Sequence, residues 1–422
     1  MRMFSRKIAS VAVAAAIGGM ATGAVAGGFA IGTQSGSGTG NAFAGGAAAA
    51  DDASVAWFNP AAMTLIPGKQ VAGALHVVDP SFKFQNTTST ATGVAGANAD
   101  GGDGGDLALI PNGFFTWALN PKWSIGLALN APFGLTTEYD PGWRGRFTAI
   151  KSEVKAVNIN PSVAYKVSDT VSIGGGLNVQ KIDAELTASA GPAGTTKLEA
   201  DDMGFGFNVG ALFQVTPSTR IGAHYRSKIK YELEGTIAFS AAAPGNGDVR
   251  ADLDVPASFS VSAFSALNPQ WEVMADITWT GWGDLKRLDV IRTTTAATLG
   301  ATLPGAAGST ITSLVFNWDD TWRYSIGANY KLSPQTKLRF GVAFDETPTN
   351  DVDRTARLPD QDRKWVALGI QWKPSKTGIL DVGYAHEFIK DANINNVSPI
   401  GTVVGKFESK VDILSVQYSM SF

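Results

Sequence analysis

Residues 204–215 read GFGFNVGALFQV, with Phe205, Phe207, Val209, Phe213 and Val215 on one parity and mostly small or polar residues on the other. Successive side chains of a strand point to opposite faces, so a period of two is the strand signature. The same period recurs in WSIGLALN (123–130), SIGGGLNVQ (172–180), SFSVSAFSAL (258–267) and WRYSIGANYKL (322–332). It continues through KLRFGVAF (337–344), KWVALGIQW (364–372) and VDILSVQYSMSF (411–422). The chain is expected to be all-β.

Turn chemistry sorts these strands into hairpins. Short turns fall at Asn120-Pro121-Lys122, Ser168-Asp169, Thr216 to Thr219, Asn268-Pro269-Gln270, Ser333 to Thr336 and Pro374-Ser375-Lys376. Each carries Pro, Asn, Asp or Ser, which pre-set or tolerate turn dihedrals. Between them lie Gly/Ala/Thr/Asp-rich segments near 86–106, 131–150, 188–201, 240–251, 292–310, 346–362 and 392–404, which read as long loops. Six turns and seven loops require fourteen strands. Short turns on one side, long loops on the other and an even count are the transmembrane-barrel arrangement. In lipid every backbone N–H and C=O must be paired, and only a closed barrel does that for strands. Trp117, Trp123, Trp271, Trp279, Trp282, Trp322, Trp365 and Trp372 lie near strand ends, where interfacial girdles belong.

Composition removes other classes. No run of about 18 apolar residues supports a membrane-spanning helix. There is no cysteine, so there is no disulfide framework and no thiolate site. A net charge of −3 with scattered basic residues carries no nucleic-acid signature. No cofactor motif stands out: GFGFNVG alternates as a strand and lacks the βαβ setting of a nucleotide loop. Asp100, Asp103 and Asp106 have a calcium-loop rhythm without the bidentate Glu, and a solvated loop is the preferred reading. His76, His224 and His386 fall on separate strands, with no motif for a hydrolase, so no metal or catalytic residue is expected.

The N-terminus has two parts. Arg2, Arg6 and Lys7 precede a short apolar run, and Ala24-Val25-Ala26 has the small-x-small form of a cleavage site, so residues 1–26 read as a signal peptide. Residues 27–68 are small, and their only charges are Asp51 and Asp52. The stretch GFAIGTQSGSGTGNAFAGGAAAADDASVAWFNPAAMTLIPG (28–68) resembles the opening of the outer-membrane long-chain fatty-acid transporter family, the FadL family. The likeness is carried by Gly28-Phe29, Ala50-Asp51-Asp52-Ala53 and Asn59-Pro60-Ala61. It continues in NAPFGLTTEYDPGWRGRF (130–147), TARLPDQDRKW (355–365) and the terminal Phe422.

That resemblance implies a 14-stranded barrel (69–422) whose lumen is plugged by an N-terminal hatch (27–68). It implies carriage of fatty acids or, in degradative relatives, aromatic hydrocarbons, from outer loops to an apolar pocket. Release is then sideways into outer-membrane lipid, through a gap made by an inward kink of the third strand. By the same resemblance Phe29 sits beside the ligand and Asn59-Pro60-Ala61 lies at the lateral opening; Phe29 and Ile31 can both enter the pocket from the plug, and the terminal Phe422 resembles the signal by which outer-membrane barrels address the barrel-assembly machinery. The competing class is a general diffusion porin, which would carry a constriction loop and a charged lumen instead of a hatch.

The residues give their own reasons. Each CH₂ of an oily ligand gains roughly 0.8 kcal/mol on leaving water, which a water-filled bore does not offer. WSIGLALN runs into Ala131-Pro132-Phe133-Gly134; Pro cannot donate to a ladder and Gly weakens one, so the segment either breaks the wall or starts the outer loop. Gly174-Gly175-Gly176 gives a wall bend or room for that kink. A ligand carboxylate would want a cation, with Lys181, Arg226, Lys228 and Arg323 as candidates. Arg357, Asp360, Asp362 and Arg363 read as braces of the outer rim.

Overall fold

A computed structural model describes residues 27–91, 100–298, 304–398 and 401–422. The segment read as a signal peptide lies outside the described residues. Fourteen antiparallel strands form one closed barrel. They are β1 Lys69–Asn86, β2 Ala108–Ala118, β3 Trp123–Asn130 resumed as Gly134–Glu138, β4 Lys151–Lys166 and β5 Val171–Ser189. Next come β6 Thr195–Thr216, β7 Thr219–Arg226 with Ile229–Phe239, β8 Gly247–Val255 with Ser258–Ala266, and β9 Trp271–Thr280 with Arg287–Arg292. The last are β10 Thr310–Val315 with Thr321–Lys331, β11 Thr336–Asp345, β12 Arg363–Trp372, β13 Gly378–Ile389 with Ala392–Ser398, and β14 Gly401–Ser421. Closure joins β1 to β14, from Gln70 opposite Ser421 to Asn86 opposite Gly405.

The wall is inverted relative to a soluble protein. On β14, Leu414, Val416, Tyr418 and Met420 are exposed while Ser415, Gln417 and Ser419 are buried. On β6, Phe205, Phe207, Val209 and Phe213 point outward. Apolar side chains outside and polar ones inside suit lipid as the outer solvent. The turns form as their residues dictate: Asn120 Oδ1 accepts from the amides of Lys122 and Trp123, and Asn268 Oδ1 does the same for Gln270 and Trp271. Three loops are shorter than expected, one of them because β8 already begins at Gly247 within 240–251. β5 and β6 run on to Ser189 and from Thr195, and β13 and β14 extend through much of 392–404. Beyond the lipid both faces of a strand are wet, so hydrophobic alternation fades there while the ladder persists.

The lumen is filled by residues 27–68, folded as α1 Gly36–Thr39, α2 Val55–Phe58 and a 3₁₀ turn Pro60–Leu65. Small side chains let its backbone lie on the inner wall. A Cβ at Gly222 would stand 1.9 Å from Ala47 O, and one at Gly341 2.1 Å from Asn41 C. Charge then fixes the plug. Asp51 accepts from Arg339 Nη1 at 2.7 Å and lies 3.6 Å from Lys337, while Arg339 also holds Asp381 at 2.9 Å. Burial alone would raise the Asp51 pKa, but Lys337, Arg339 and Arg220 outweigh it and hold the carboxyl well below its usual range.

Two outcomes follow. Val416→Arg should destabilise the folded barrel by about 2–4 kcal/mol, read from urea titration in lipid vesicles; an unchanged midpoint would remove Val416 from the lipid face. Because the Asp51 pKa is lowered, its pairing contributes fully above the unfolded carboxyl range and is lost only as pH falls through the lowered value. Ion conductance in planar bilayers should therefore stay low down to about pH 4. A rise already between about pH 6 and 5 would show that this pair does not seat the plug.

Candidate functional site

On the loop side of the plug lies an apolar cavity of about 100 Å³, lined by Phe29, Leu198, Leu233, Val249, Leu288 and Phe316 among others. Its floor is aromatic. The Phe29 ring centroid is 4.8 Å from Trp282, 5.7 Å from Phe133 and 5.9 Å from Trp318, and the two indoles are 5.0 Å apart. Below that cluster a second cavity, of about 210 Å³, is lined by Ile31, Phe133, Trp282, Arg226 and Asp345 with others. Phe29 thus stands between two chambers. Trp282 corrects the girdle expectation: it sits where β9 breaks and turns inward, and it is buried. Trp365 is buried too, because it shares the lumen parity of β12 and packs over Arg323.

Pro132, Phe133 and Gly134 break the wall. β3 pairs with β2 only from Gly113–Leu129 to Ala118–Ser124, so the edge of β2 from Ala108 to Asn112 has no β3 partner. The strand then resumes, pairing Gly134 to Glu138 with Lys155 to Lys151 of β4. Between the two pieces the chain turns inward and finds the N-terminus. Ile31 N donates to Pro132 O at 2.8 Å, Gly134 N donates to Phe29 O at 2.9 Å, and Ala30 bridges Phe133. Gln34 Nε2 donates to Ala131 O at 2.9 Å, and its Oε1 accepts from Asn130 at 2.7 Å. Ile31 packs on Gly134, where a Cβ would come within 2.7 Å of its Cδ1. Pro111 sits on the unpartnered edge of β2, where its missing N–H costs nothing.

Asn59, Pro60 and Ala61 lie elsewhere. Asn59 is fully buried; its Nδ2 donates to Ala47 O at 2.8 Å and Ala211 O at 2.9 Å, and its Oδ1 accepts from Ala61 N at 3.1 Å. The motif rests on β5 and β6: a Cβ at Gly174 would meet Ala61 N at 2.6 Å, and one at Gly210 would meet Asn59 Oδ1 at 2.0 Å. It caps the 3₁₀ turn and pins the hatch to the wall, away from the β2–β3 discontinuity. Gly174 makes room for the hatch, not for the kink.

The four candidate cations are engaged. Lys181 pairs with Asp183 and, at 3.4 Å, with Asp201. Lys228 meets Asp284 at 3.0 Å. Arg323 lies 3.9 Å from Asp345 and donates to Ala42 O at 2.8 Å. Arg226 donates to Asn178 Oδ1 and Trp57 O, with its face 3.4 Å from the Trp57 ring centre. The segment from Thr355 to Arg363, read as a rim brace, dips inside. Arg357 and Leu358 line the apolar cavity, Asp360 accepts from Gly28 N at 2.8 Å, and Arg363 joins Asp360 to Glu387. Sequence reasoning missed this because RLPDQDR is as polar as any surface loop.

His76 Nδ1 is 2.6 Å from Ser415 Oγ and its Nε2 3.1 Å from Asn112 Nδ2, and all three are buried beneath Thr33, Gln34 and Thr39. Asp100 faces Arg144 while Asp103 binds Ser81 and Phe82, so these carboxylates do not converge.

Comparison with known proteins adds kinship. The family model described as outer membrane protein transport protein (OMPP1/FadL/TodX) matches residues 17–422. The long-chain fatty acid transport protein of Escherichia coli strain K12 is 24% identical over 435 residues, spanning 92% of this chain and 93% of that one. Outer membrane protein P1 of Haemophilus influenzae is 28% identical over 413 residues, spanning 86% of each. Among solved structures, a Pseudomonas aeruginosa FadL homologue aligns at a TM-score of 0.84 and 25% identity, covering 94% of this chain and 100% of that one. The Ralstonia pickettii toluene transporter TbuX shares the fold at a TM-score of 0.64 and 20% identity, covering 91% and 98%.

Gly210→Val should unseat the hatch, since its side chain would occupy the place of Asn59 Oδ1. The expected readout is protease cleavage within 44–54 in a variant whose barrel still shows heat-modifiable gel mobility; a hatch as resistant as wild type would count against this seat.

Proposed function

The chain belongs to the OMPP1/FadL/TodX family of outer-membrane transport proteins, and from that premise we propose that it carries long-chain fatty acids across the outer membrane by lateral release. Transport of hydrophobic molecules in the outer membrane is the family's trade. The finer route is our reading. The observation that carries it is the broken β3, whose inward turn is held by the very residues that floor the apolar cavity.

A ligand captured by the outer loops enters the cavity and gains roughly 0.8 kcal/mol per buried CH₂. Its tail displaces Phe29, which frees Ile31 from Pro132 and Gly134 from Phe29. The two chambers then join, and the ligand leaves between β2 and β3 into lipid. In this reading residues 27–68 act as hatch and gate, residues 69–422 as barrel, Asn59-Pro60-Ala61 as the hatch anchor, and the exposed Phe422 as the assembly signal. Aromatic hydrocarbons are the second reading, favoured by the aromatic floor of Phe29, Phe133, Trp282 and Trp318.

Removing residues 131–133 should let β3 pair continuously with β2. Oleate uptake by cells lacking their own transporter should then fall about tenfold or more, a barrier change of at least 1.4 kcal/mol, while oleate binding to the purified protein persists. Uptake equal to wild type would rule out the lateral route. Rapid sugar flux in liposome swelling would point to a porin instead.

A further inference from the structure

The loop-side edge of the lipid-facing band carries two lysines that neither the hatch nor the proposed route uses. Across β10 to β14 the register sets Tyr324 opposite Phe344, Phe344 opposite Lys364, Lys364 opposite Phe388 and Phe388 opposite Lys410. All five belong to the outward parity of their strands, so aromatic rings and lysines alternate along one row. Lys364, Phe388 and Lys410 are exposed. Below the row come Val366 and Leu368 on β12 and, past Asp412, Leu414 and Val416 on β14, all four exposed to lipid. The row therefore lies where the apolar band ends and the outer headgroups begin.

Neither lysine has a close counter-ion. Lys364 takes part in no ion pair among the described residues. Lys410 Nζ stands 4.0 Å from Asp412 Oδ2. The other oxygen of that carboxylate already accepts from Tyr384 Oη at 2.6 Å, with His386 Nδ1 at 2.7 Å. Asp79 lies opposite Asp412 in the row below, and Glu408, in the row above, is held by Lys406 at 3.0 Å. The far wall has the contrary pattern at the corresponding border. There Asp183 stands opposite Asp201, Asp201 opposite Glu234, and Glu232 opposite Asp252. Like charges placed directly across a ladder repel, and Lys181 is held between Asp183 and Asp201. An anion is turned away from that wall and drawn to β12–β14.

We infer that Lys364 and Lys410, with Phe388 between them, bind the phosphorylated headgroup of an anionic glycolipid of the outer leaflet, whose acyl chains lie along Val366, Leu368, Leu414 and Val416. β12 and β14 are two strand spacings apart, roughly 10 Å, so the two cations meet two separate phosphates better than one. Lysine suits the position, because its stem lies on apolar surface while its ammonium reaches the headgroups. Basic side chains at a membrane surface recognise anionic lipid in this way, and the attraction is confined to a Debye length. The site is on the wall, not in the lumen, so it stands whatever the apolar cavity carries.

The test uses the full-length protein in nanodiscs of phosphatidylcholine doped with bisphosphorylated lipid A, with native mass spectrometry counting the lipid A retained. Lys364→Gln and Lys410→Gln should each weaken retention about fivefold, and the two together about 30-fold. Lys197→Gln combined with Lys230→Gln removes the same charge from the acidic wall and should leave retention within about twofold. Heat-modifiable gel mobility certifies that each barrel is folded. Lipid A stripped of both phosphates should be retained no better by wild type than by the Lys364→Gln, Lys410→Gln protein. Retention unchanged in that protein would overturn the inference, and so would an equal loss from the acidic-wall pair, which would reduce the effect to net charge. Inorganic phosphate that displaced the lipid at equal concentration would also overturn it, by assigning the lysines to a free anion instead of a headgroup.

Discussion

A barrel in lipid must pair every backbone N–H and C=O, yet a wall that releases cargo sideways must leave a ladder unpaired. The β3 break changes partner instead of leaving its bonds unmade, as the proposed lateral route requires. Where Pro132 and Phe133 leave β2, the bonds of the turned segment pass to Phe29 and Ile31 on one side and to Ala156 of β4 on the other. Gln34 closes the corner through Ala131 and Asn130. The plug therefore does more than occlude the bore. It supplies hydrogen bonds that make the discontinuity tolerable, so any movement of residues 29–31 is felt at the wall. In the proposed route, gate and gap are one mechanical element because they share the same two backbone bonds.

That coupling needs a hatch whose remainder stays still. Glycines at 174, 210, 222 and 341 admit its backbone to the wall, and Asn59 and Asp51 then fix it by hydrogen bond and charge. The tip is held differently. Gly27 N and Gly28 N reach Asp345 and Asp360 at 3.3 and 2.8 Å, from a cluster that also contains Arg323, Arg363 and Glu387. Packing by small residues anchors the body, whereas a few polar contacts and the tilted and edge-on ring contacts of Phe29 anchor the tip. A ligand competing for the place of Phe29 has only the second set to break.

The strand count and inside-out polarity were legible because lipid enforces a strict alternation, as in Phe205, Phe207 and Val209 against Gly206 and Asn208. Legibility stopped where that solvent stops. The strand pieces within 188–201 and 392–404 looked like loops because water wets both their faces. The Pro132 kink could be suspected but not decided, since a Pro-Gly pair ends a strand and interrupts one equally well. Trp282 and Trp365 carried the wrong expectation for one reason: aromaticity near a strand end does not say which way the ring points. Arg357 was least legible. Its contacts to Lys151, Ser152 and Thr187 of β4 and β5 lie some 170 to 206 residues away in sequence, beyond the reach of any local pattern.

The polarity of the interior argues for the direction of exit. Below the aromatic floor the wall turns to amides: Asn158 donates to Asn130 at 3.1 Å and Asn178 at 3.3 Å, and Asn160 donates to Asn208 at 2.8 Å. An acyl chain driven down the bore would have to desolvate this belt without replacing its hydrogen bonds, at a cost of about 1–3 kcal/mol for each polar group left unpaired. Toward the β2–β3 edge the surroundings are different, with Ala108, Ile110 and Ala131 buried and Leu107 and Leu109 exposed outward. A hydrocarbon tail that has passed Phe29 thus meets a belt of paired amides along the axis, and toward the wall a lining of Ala108, Ile110 and Ala131 in which Gln34, Asn112 and Asn130 are the polar groups. The hydrophobic gradient points sideways, so the proposed route needs no further energy source than the affinity of the tail for lipid.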